Sequence, residues 1–139
     1  MREYKFRAYD LQGEQMRYDI TGFEFFNDGE MSGIFIDGDF YDKKEIALMQ
    51  YTGIKDENGK EIYEGDIIEF SYDMFVGNFD TFVAKGKIVF EEGAFYVEVF
   101  ENERTTEDEA YLLYSINLDT IEVIGNIYEN KELLNETNR

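Results

Sequence analysis

The chain has 139 residues, enough for one domain or two very small ones, and carries 13 Lys and Arg against 32 Asp and Glu, a net charge of −19. It contains no Cys, His, Trp or Pro, which excludes a disulfide framework, zinc fingers, iron–sulfur clusters, thiol nucleophiles and a His general base. A hydrophobic share of 43% with 17% aromatic residues also separates it from disordered acidic tails, which are poor in aromatics.

Tyr4, Phe6 and Ala8 alternate with Lys5, Arg7 and Tyr9, the period-two pattern of a half-buried strand. Asp10-Leu11-Gln12-Gly13 offers a turn, after which Met16, Tyr18 and Ile20 alternate again. Together they predict a hairpin with a basic outer face, suited to docking against an acidic patch of its own chain or of a neighbour. Aromatic-rich short runs follow at Phe23 to Phe26 and Ile34 to Ile36, punctuated by Asp28-Gly29, Gly33 and Asp37-Gly38. Tyr41 to Gln50 reads either as a short helix or as a loop leading into a strand. Asn58-Gly59, between Ile54 and Ile62, is a turn signal, and Glu64-Gly65-Asp66 launches a strand through Ile67-Ile68-Glu69-Phe70.

Ser71 to Thr81 is expected to be a loop with Gly77-Asn78 at its tip. Phe82 to Phe90 and Ala94 to Phe100 are expected strands, joined as a hairpin at Glu91-Glu92-Gly93. Thr106 and Glu109 stand three apart ahead of Ala110-Tyr111-Leu112-Leu113, which fits a capping box opening a helical turn or a loop entering a strand. Ile121 to Ile127 is a final strand, and Glu132 to Asn135 a frayed helical end. The chain therefore reads as mainly β with little helix, its strand spacing suited to a small barrel.

Carboxylates are the only abundant acid–base groups. Asp37-Gly38-Asp39 with Asp42 offers oxygen ligands for a hard cation, but the spacing fits no calcium loop and Asp-Gly pairs are first of all turns. Asp56-Glu57-Asn58-Gly59 has its Gly too early for an EF-hand and reads as a hairpin tip. With so many acids, a glycosidase-like carboxylate pair arises by chance and carries no weight. Gly29, Gly33 and Gly38 are spaced wrongly for a phosphate-cradling loop and precede no helix. No catalytic, cofactor-binding or metal residue is assigned, no cofactor is expected, and no partner-binding residue can be named.

Lys5-Phe6-Arg7-Ala8-Tyr9-Asp10, then Met49-Gln50-Tyr51-Thr52-Gly53-Ile54-Lys55-Asp56 continuing through Asn58-Gly59-Lys60-Glu61-Ile62-Tyr63-Glu64-Gly65-Asp66-Ile67, resemble two blocks of the YopX family of phage and prophage proteins. Phe90 to Val97 and Ile121-Glu122-Val123-Ile124-Gly125-Asn126-Ile127-Tyr128-Glu129-Asn130 resemble the remaining two. The matches run in family order along the whole chain. Tyr9 stands where the family often has Trp, and Lys131 where Pro often follows; Ile20 to Leu48 matches no block. The resemblance implies a phage or prophage of Gram-positive bacteria and an SH3-type barrel from about Glu64 onward. It implies no known activity and no catalytic residues.

In physical terms the matched blocks are structural. Ile62, Ile67, Val89, Val97, Val123 and Ile127 are expected as the apolar alternates of a barrel wall, while Tyr51, Tyr63 and Tyr128 suit core or surface equally. The expected organisation is an N-terminal β-hairpin region, 1–62, packed on an SH3-like barrel region, 63–139, as one compact domain.

Functionally, the expectation is a non-enzymatic phage accessory protein that binds a protein partner. A homo-oligomer is expected too, because 13 Phe and 11 Tyr exceed what one small core needs. An acidic DNA mimic that blocks a host DNA-binding protein is one alternative, and a carboxylate enzyme or cation-binding protein the other. Direct nucleic-acid binding and anionic membranes are disfavoured by the net charge. No apolar stretch of signal-peptide or membrane-spanning length occurs, so the expected location is the bacterial host cytoplasm.

Overall fold

Short runs of alternating apolar and polar residues, broken by Gly-centred turns, fold into twelve β-strands among residues 3–135, which the computed structural model describes. The protein is mainly β, as expected, with 59% of the described residues in strands and 8% in helix. It divides into two compact units, Met1–Tyr51 and Thr52–Arg139, whereas the boundary expected from sequence falls at 62/63. The last four residues of the expected second region lie outside those described.

In the first unit, β1 (Phe6–Asp10) and β2 (Gln15–Arg17) form the expected hairpin, with Ala8 opposite Arg17. Its turn is held by Asp10, whose Oδ1 accepts the N–H groups of Gln12 and Gly13 at 3.1 and 3.0 Å. The other edge of β1 takes the first half of β6 (Ile46–Lys55), and β3 (Ile20–Phe25), β4 (Met31–Ile36) and β5 (Asp39–Asp42) form an antiparallel meander. Tyr41 to Gln50 is thus strand at both ends and not a helix. The turn between is pinned by Asp42 Oδ1 accepting the Lys44 N–H at 2.9 Å. Ala8, Ile34, Ile36 and Ile46 form the core, with Ile20, Phe23 and Leu48 against it.

Two expectations for this unit are corrected. Gly33 is no turn residue: it lies within β4, where an added Cβ would sit 2.3 Å from the Tyr41 carbonyl oxygen and 2.6 Å from the Phe40 ring. The close approach of β5 leaves room for hydrogen only. The basic outer face is also absent, since Arg7 is 2% exposed and donates to the Tyr18 hydroxyl at 3.4 Å. Successive residues Arg7 and Ala8 are both buried, so β1 is covered on both faces and has no wet side to present. Arg17 is taken up by Asp19, Nη2 to Oδ2 at 2.6 Å.

The second unit opens with the hairpin of β6 and β7 (Glu61–Tyr63) around Asn58-Gly59. Beyond it, β8 (Asp66–Phe75), β9 (Phe79–Glu91), β10 (Ala94–Asn102), β11 (Glu109–Leu112) and β12 (Glu122–Asn126) form an antiparallel sheet in the order β11-β10-β9-β8-β12. This sheet curls into a half-barrel. Glu92 and Gly93 take φ of 49° and 82°, the paired left-handed conformations of a tight hairpin turn. A short helix α1 (Lys131–Asn135) follows, where a helical end was expected.

The core of this unit gathers Ile54, Ile62, Ile68, Phe70, Ile88, Val97, Leu113 and Ile121. Val89 is only half-buried; Ala84, Gly86 and Ile88 share the inward face of β9, so the alternation is offset by one from the expected wall. Ile62, Ile67 and Val97 are buried as expected, while Val123 and Ile127 are half-buried; Tyr51 and Tyr63, which suited core or surface equally, are buried. Glu109 opens strand β11 and no helix, because its carboxylate is engaged by Arg104 instead of capping a turn. Ser71 to Thr81 is not a loop. Tyr72 stands opposite Phe82 and Phe75 opposite Phe79, leaving only residues 76–78 to turn the chain.

Candidate binding surface

The outer half of the β8–β9 hairpin leaves the sheet. β12 pairs only with Asp66–Glu69 of β8, and β10 only with Ala84–Glu91 of β9, so residues 71–75 and 79–83 run on as a two-stranded ribbon. In antiparallel pairs the backbone groups of alternate residues point inward to the partner and outward to the edge. Ser71 points outward, since its N–H and its carbonyl both meet the Thr120 hydroxyl at 3.1 Å. Asp73 and Phe75, two and four residues on, therefore also point outward. On the other strand Val83 is the outward anchor, its carbonyl accepting the Glu103 N–H at 3.0 Å, so Thr81 and Phe79 share that edge.

The two faces of the ribbon differ. Tyr72 and Phe82, ring centroids 5.8 Å apart, continue the core face from Phe70. Phe75 and Phe79 meet edge-to-face at 5.3 Å on the opposite face, beside Asp73, which accepts the Thr81 hydroxyl at 2.6 Å. The pair is 62% and 75% exposed, with Val76 also exposed at the tip. Phe75, Val76 and Phe79 together make a contiguous apolar tip, and contiguous exposed apolar surface is a mark of interaction sites.

Beneath the ribbon, a polar network fixes two tyrosines. The Tyr72 hydroxyl donates to Asn102 Oδ1 at 2.7 Å and accepts from Arg104 Nε at 3.0 Å. Arg104 Nη2 meets both oxygens of Glu109, at 2.9 and 3.1 Å. Asn102 Nδ2 and the Tyr111 hydroxyl also donate to Glu109. The Arg104 guanidinium is held above its ordinary value first by its hydrogen bond to Tyr72, against partial burial, with the Glu109 charge adding. It stays charged, and its role is to lock Tyr72 and Tyr111 in place.

Those tyrosines line a groove of about 560 Å³ beside β8, together with Phe70, Met74, Ile116 and Thr120. Its size falls in the range of ligand clefts, and its only charged lining residue is Asp73. The carboxylates weighed from sequence lie elsewhere. Asp37-Gly38 is the turn between β4 and β5, and Asp42 holds the turn that follows. Asp56 organises the β6–β7 hairpin tip. Among the described residues no three His, Cys, Asp or Glu side chains gather as a metal would need. The groove is not legible in the sequence because Gly77-Asn78 makes residues 71–81 read as a loop; the alternation of Tyr72-Asp73-Met74-Phe75 is the signal for the ribbon.

A curled antiparallel sheet preceded by a smaller β unit defines the class of protein, and comparison supplies the family. The family model described as YopX protein matches residues 5–135, and the chain belongs to this family. The crystal structure of protein EF1440 from Enterococcus faecalis is similar at TM-score 0.66 and 26% identity, over 96% of this chain and 99% of that one. Protein yopX from Bacillus subtilis is similar at TM-score 0.56 and 26% identity, over 96% and 97%. No curated protein matches the chain. Among the described residues no helix is long and apolar enough to cross a membrane.

Proposed function

We propose that this protein is a non-enzymatic accessory protein of phage or prophage origin that acts in the host cytoplasm by binding another protein. The observation that carries the reading is the pair Phe75 and Phe79, solvent-exposed at the end of a ribbon that the sheet itself does not use. Burying two such rings in a partner contributes a few kcal/mol, enough to anchor an interface of modest size. The surrounding charge favours a basic partner, drawn in by long-range attraction and shed more readily as salt rises. The absence of His and Cys from the chain supports a binding role over a catalytic one.

The test is affinity capture from nuclease-treated host lysate with the full chain and with its Phe75→Ser/Phe79→Ser variant, each at low and high salt. A protein retained by the native chain and lost by the variant is the expected result. Identical recoveries from both baits would remove the ribbon from the reading. Recovery of a DNA-binding protein by both baits at low salt only would replace the reading with charge mimicry. Self-association is measured beside it by light scattering, against the monomer mass of 16.4 kDa.

A further inference from the structure

The free edge of β8 and the groove beside it occur together, and that juxtaposition carries more than an aromatic tip. An outer strand edge is a row of backbone donors and acceptors, ready to pair with another extended chain. Natural edges are blunted by Lys, Pro, bulges or covering loops. Among the described residues, Thr120 covers the β8 edge at Ser71 and no hydrogen bond covers it at Asp73 or Phe75, and the chain has no Pro. The groove opens along this stretch of the edge, lined by Tyr72, Met74, Tyr111 and Ile116.

We propose that the partner contributes an extended segment that adds as a strand to the β8 edge at Asp73 and Phe75, placing an apolar side chain in the groove and a Lys or Arg beside Asp73. The proposal rests on the protein-binding reading above and specifies its chemistry. The geometry of an added strand decides the pattern. Its side chains alternate between the two faces, so one set points with Tyr72 and Met74 into the groove and the next with Asp73 and Phe75. The first set meets Tyr72, Met74, Tyr111 and Ile116, the apolar part of a lining that also holds Ser115 and Asn117, and is apolar. The second meets a carboxylate, on a protein of net charge −19, and is basic. Backbone pairing supplies affinity and the alternating pockets supply selectivity, as in other strand-addition complexes. Only two residues of the edge are open, so the segment is short and the affinity modest. An acidic segment would be repelled, and a Pro at a pairing position would lose its donor.

The probe is a fluorescein-labelled seven-residue peptide alternating Lys with Val or Leu, titrated into the full-length protein by anisotropy and followed by amide NMR. It is expected to bind at roughly 10–100 µM and to shift the amides of residues 71–75. The same peptide with Glu for every Lys is expected to bind at least about tenfold more weakly. N-methylation of one set of alternate amides should abolish binding, and methylation of the other set should change it less than about twofold. These peptides leave the protein untouched, so folding defects do not enter. On the protein side, Asp73→Pro removes an outward N–H without removing a β8–β9 ladder bond and should weaken binding about tenfold, while Asp73→Asn isolates the charge.

Equal binding by both methylated peptides, shifts confined to other residues, or no binding at about 1 mM peptide would each overturn the proposal. If any of these occurs while the native chain still captures a partner that the Phe75/Phe79 variant loses, the protein-binding reading stands and strand addition falls. If capture fails as well, both fall.

Discussion

Asp56 shows how one carboxylate ties distant parts of a unit together. It is 7% exposed, and its Oδ1 accepts the N–H groups of Asn58 and Lys60 at 2.9 and 2.8 Å while Oδ2 accepts that of Val123 at 3.0 Å. Burial alone would raise its pKa, but the three backbone donors and the Lys60 charge outweigh it and hold it below the ordinary carboxylate value. Asp56→Ala should cost about 3 kcal/mol and Asp56→Asn less, read by chemical denaturation. The sign with pH follows from the lowered value. The stabilisation is complete above the unfolded Asp value of about 3.9 and drains away as pH falls through the lower folded value, so the gap between native and Asp56→Asn proteins should close in acid. A gap that widens in acid would contradict the depressed pKa. Gly33→Ala should cost about 2 kcal/mol because the Tyr41 backbone must move. Gly22→Ala, whose Cβ would meet only Phe35 at 3.6 Å, should be neutral or slightly stabilising. The two substitutions, compared by denaturation midpoint, separate packing from propensity.

At the scale of elements, what was legible depended on local rules. The β1–β2 hairpin, the Asn58-Gly59 turn, the Glu92-Gly93 turn and α1 were readable because turn chemistry and alternation act within a few residues. What failed were positions set by long-range packing. Arg7 alternates like an outward residue, yet its strand is covered on both faces; Gly33 resembles a punctuation mark, yet a neighbouring strand dictates it. The Arg104–Glu109–Tyr72 network joins residues up to 32 apart and leaves no spacing signature. The ribbon was hidden by Gly77-Asn78, which pulls residues 71–81 toward a loop reading although cross-strand aromatic pairs extend it. Because those rings are exposed, Phe75→Ser/Phe79→Ser should lower stability by no more than about 1 kcal/mol while removing partner capture. A melt that collapses with the substitution would mean the pair is structural.

For the whole molecule, charge outweighs every other feature of the surface. A net −19 on 139 residues means self-repulsion in the folded state that salt relieves. The melting temperature should rise by a few degrees between about 20 mM and 0.5 M NaCl, measured by circular dichroism. A flat or falling trend would mean that specific ion pairs outweigh the net field. Divalent cations at matched ionic strength should add nothing beyond screening, since the acids are dispersed among turns and strand faces; a larger rise would reveal a cation site. Under the proposed function, the same field directs binding toward basic partners, and the ribbon with its groove is the place assigned to it. Hydrogen exchange of the full chain with and without its captured partner is the test of that placement. Slowed exchange in residues 71–83 with an unchanged first unit is the expected result. Protection around Phe25, Phe26 and Phe40, with 71–83 unaltered, would contradict it.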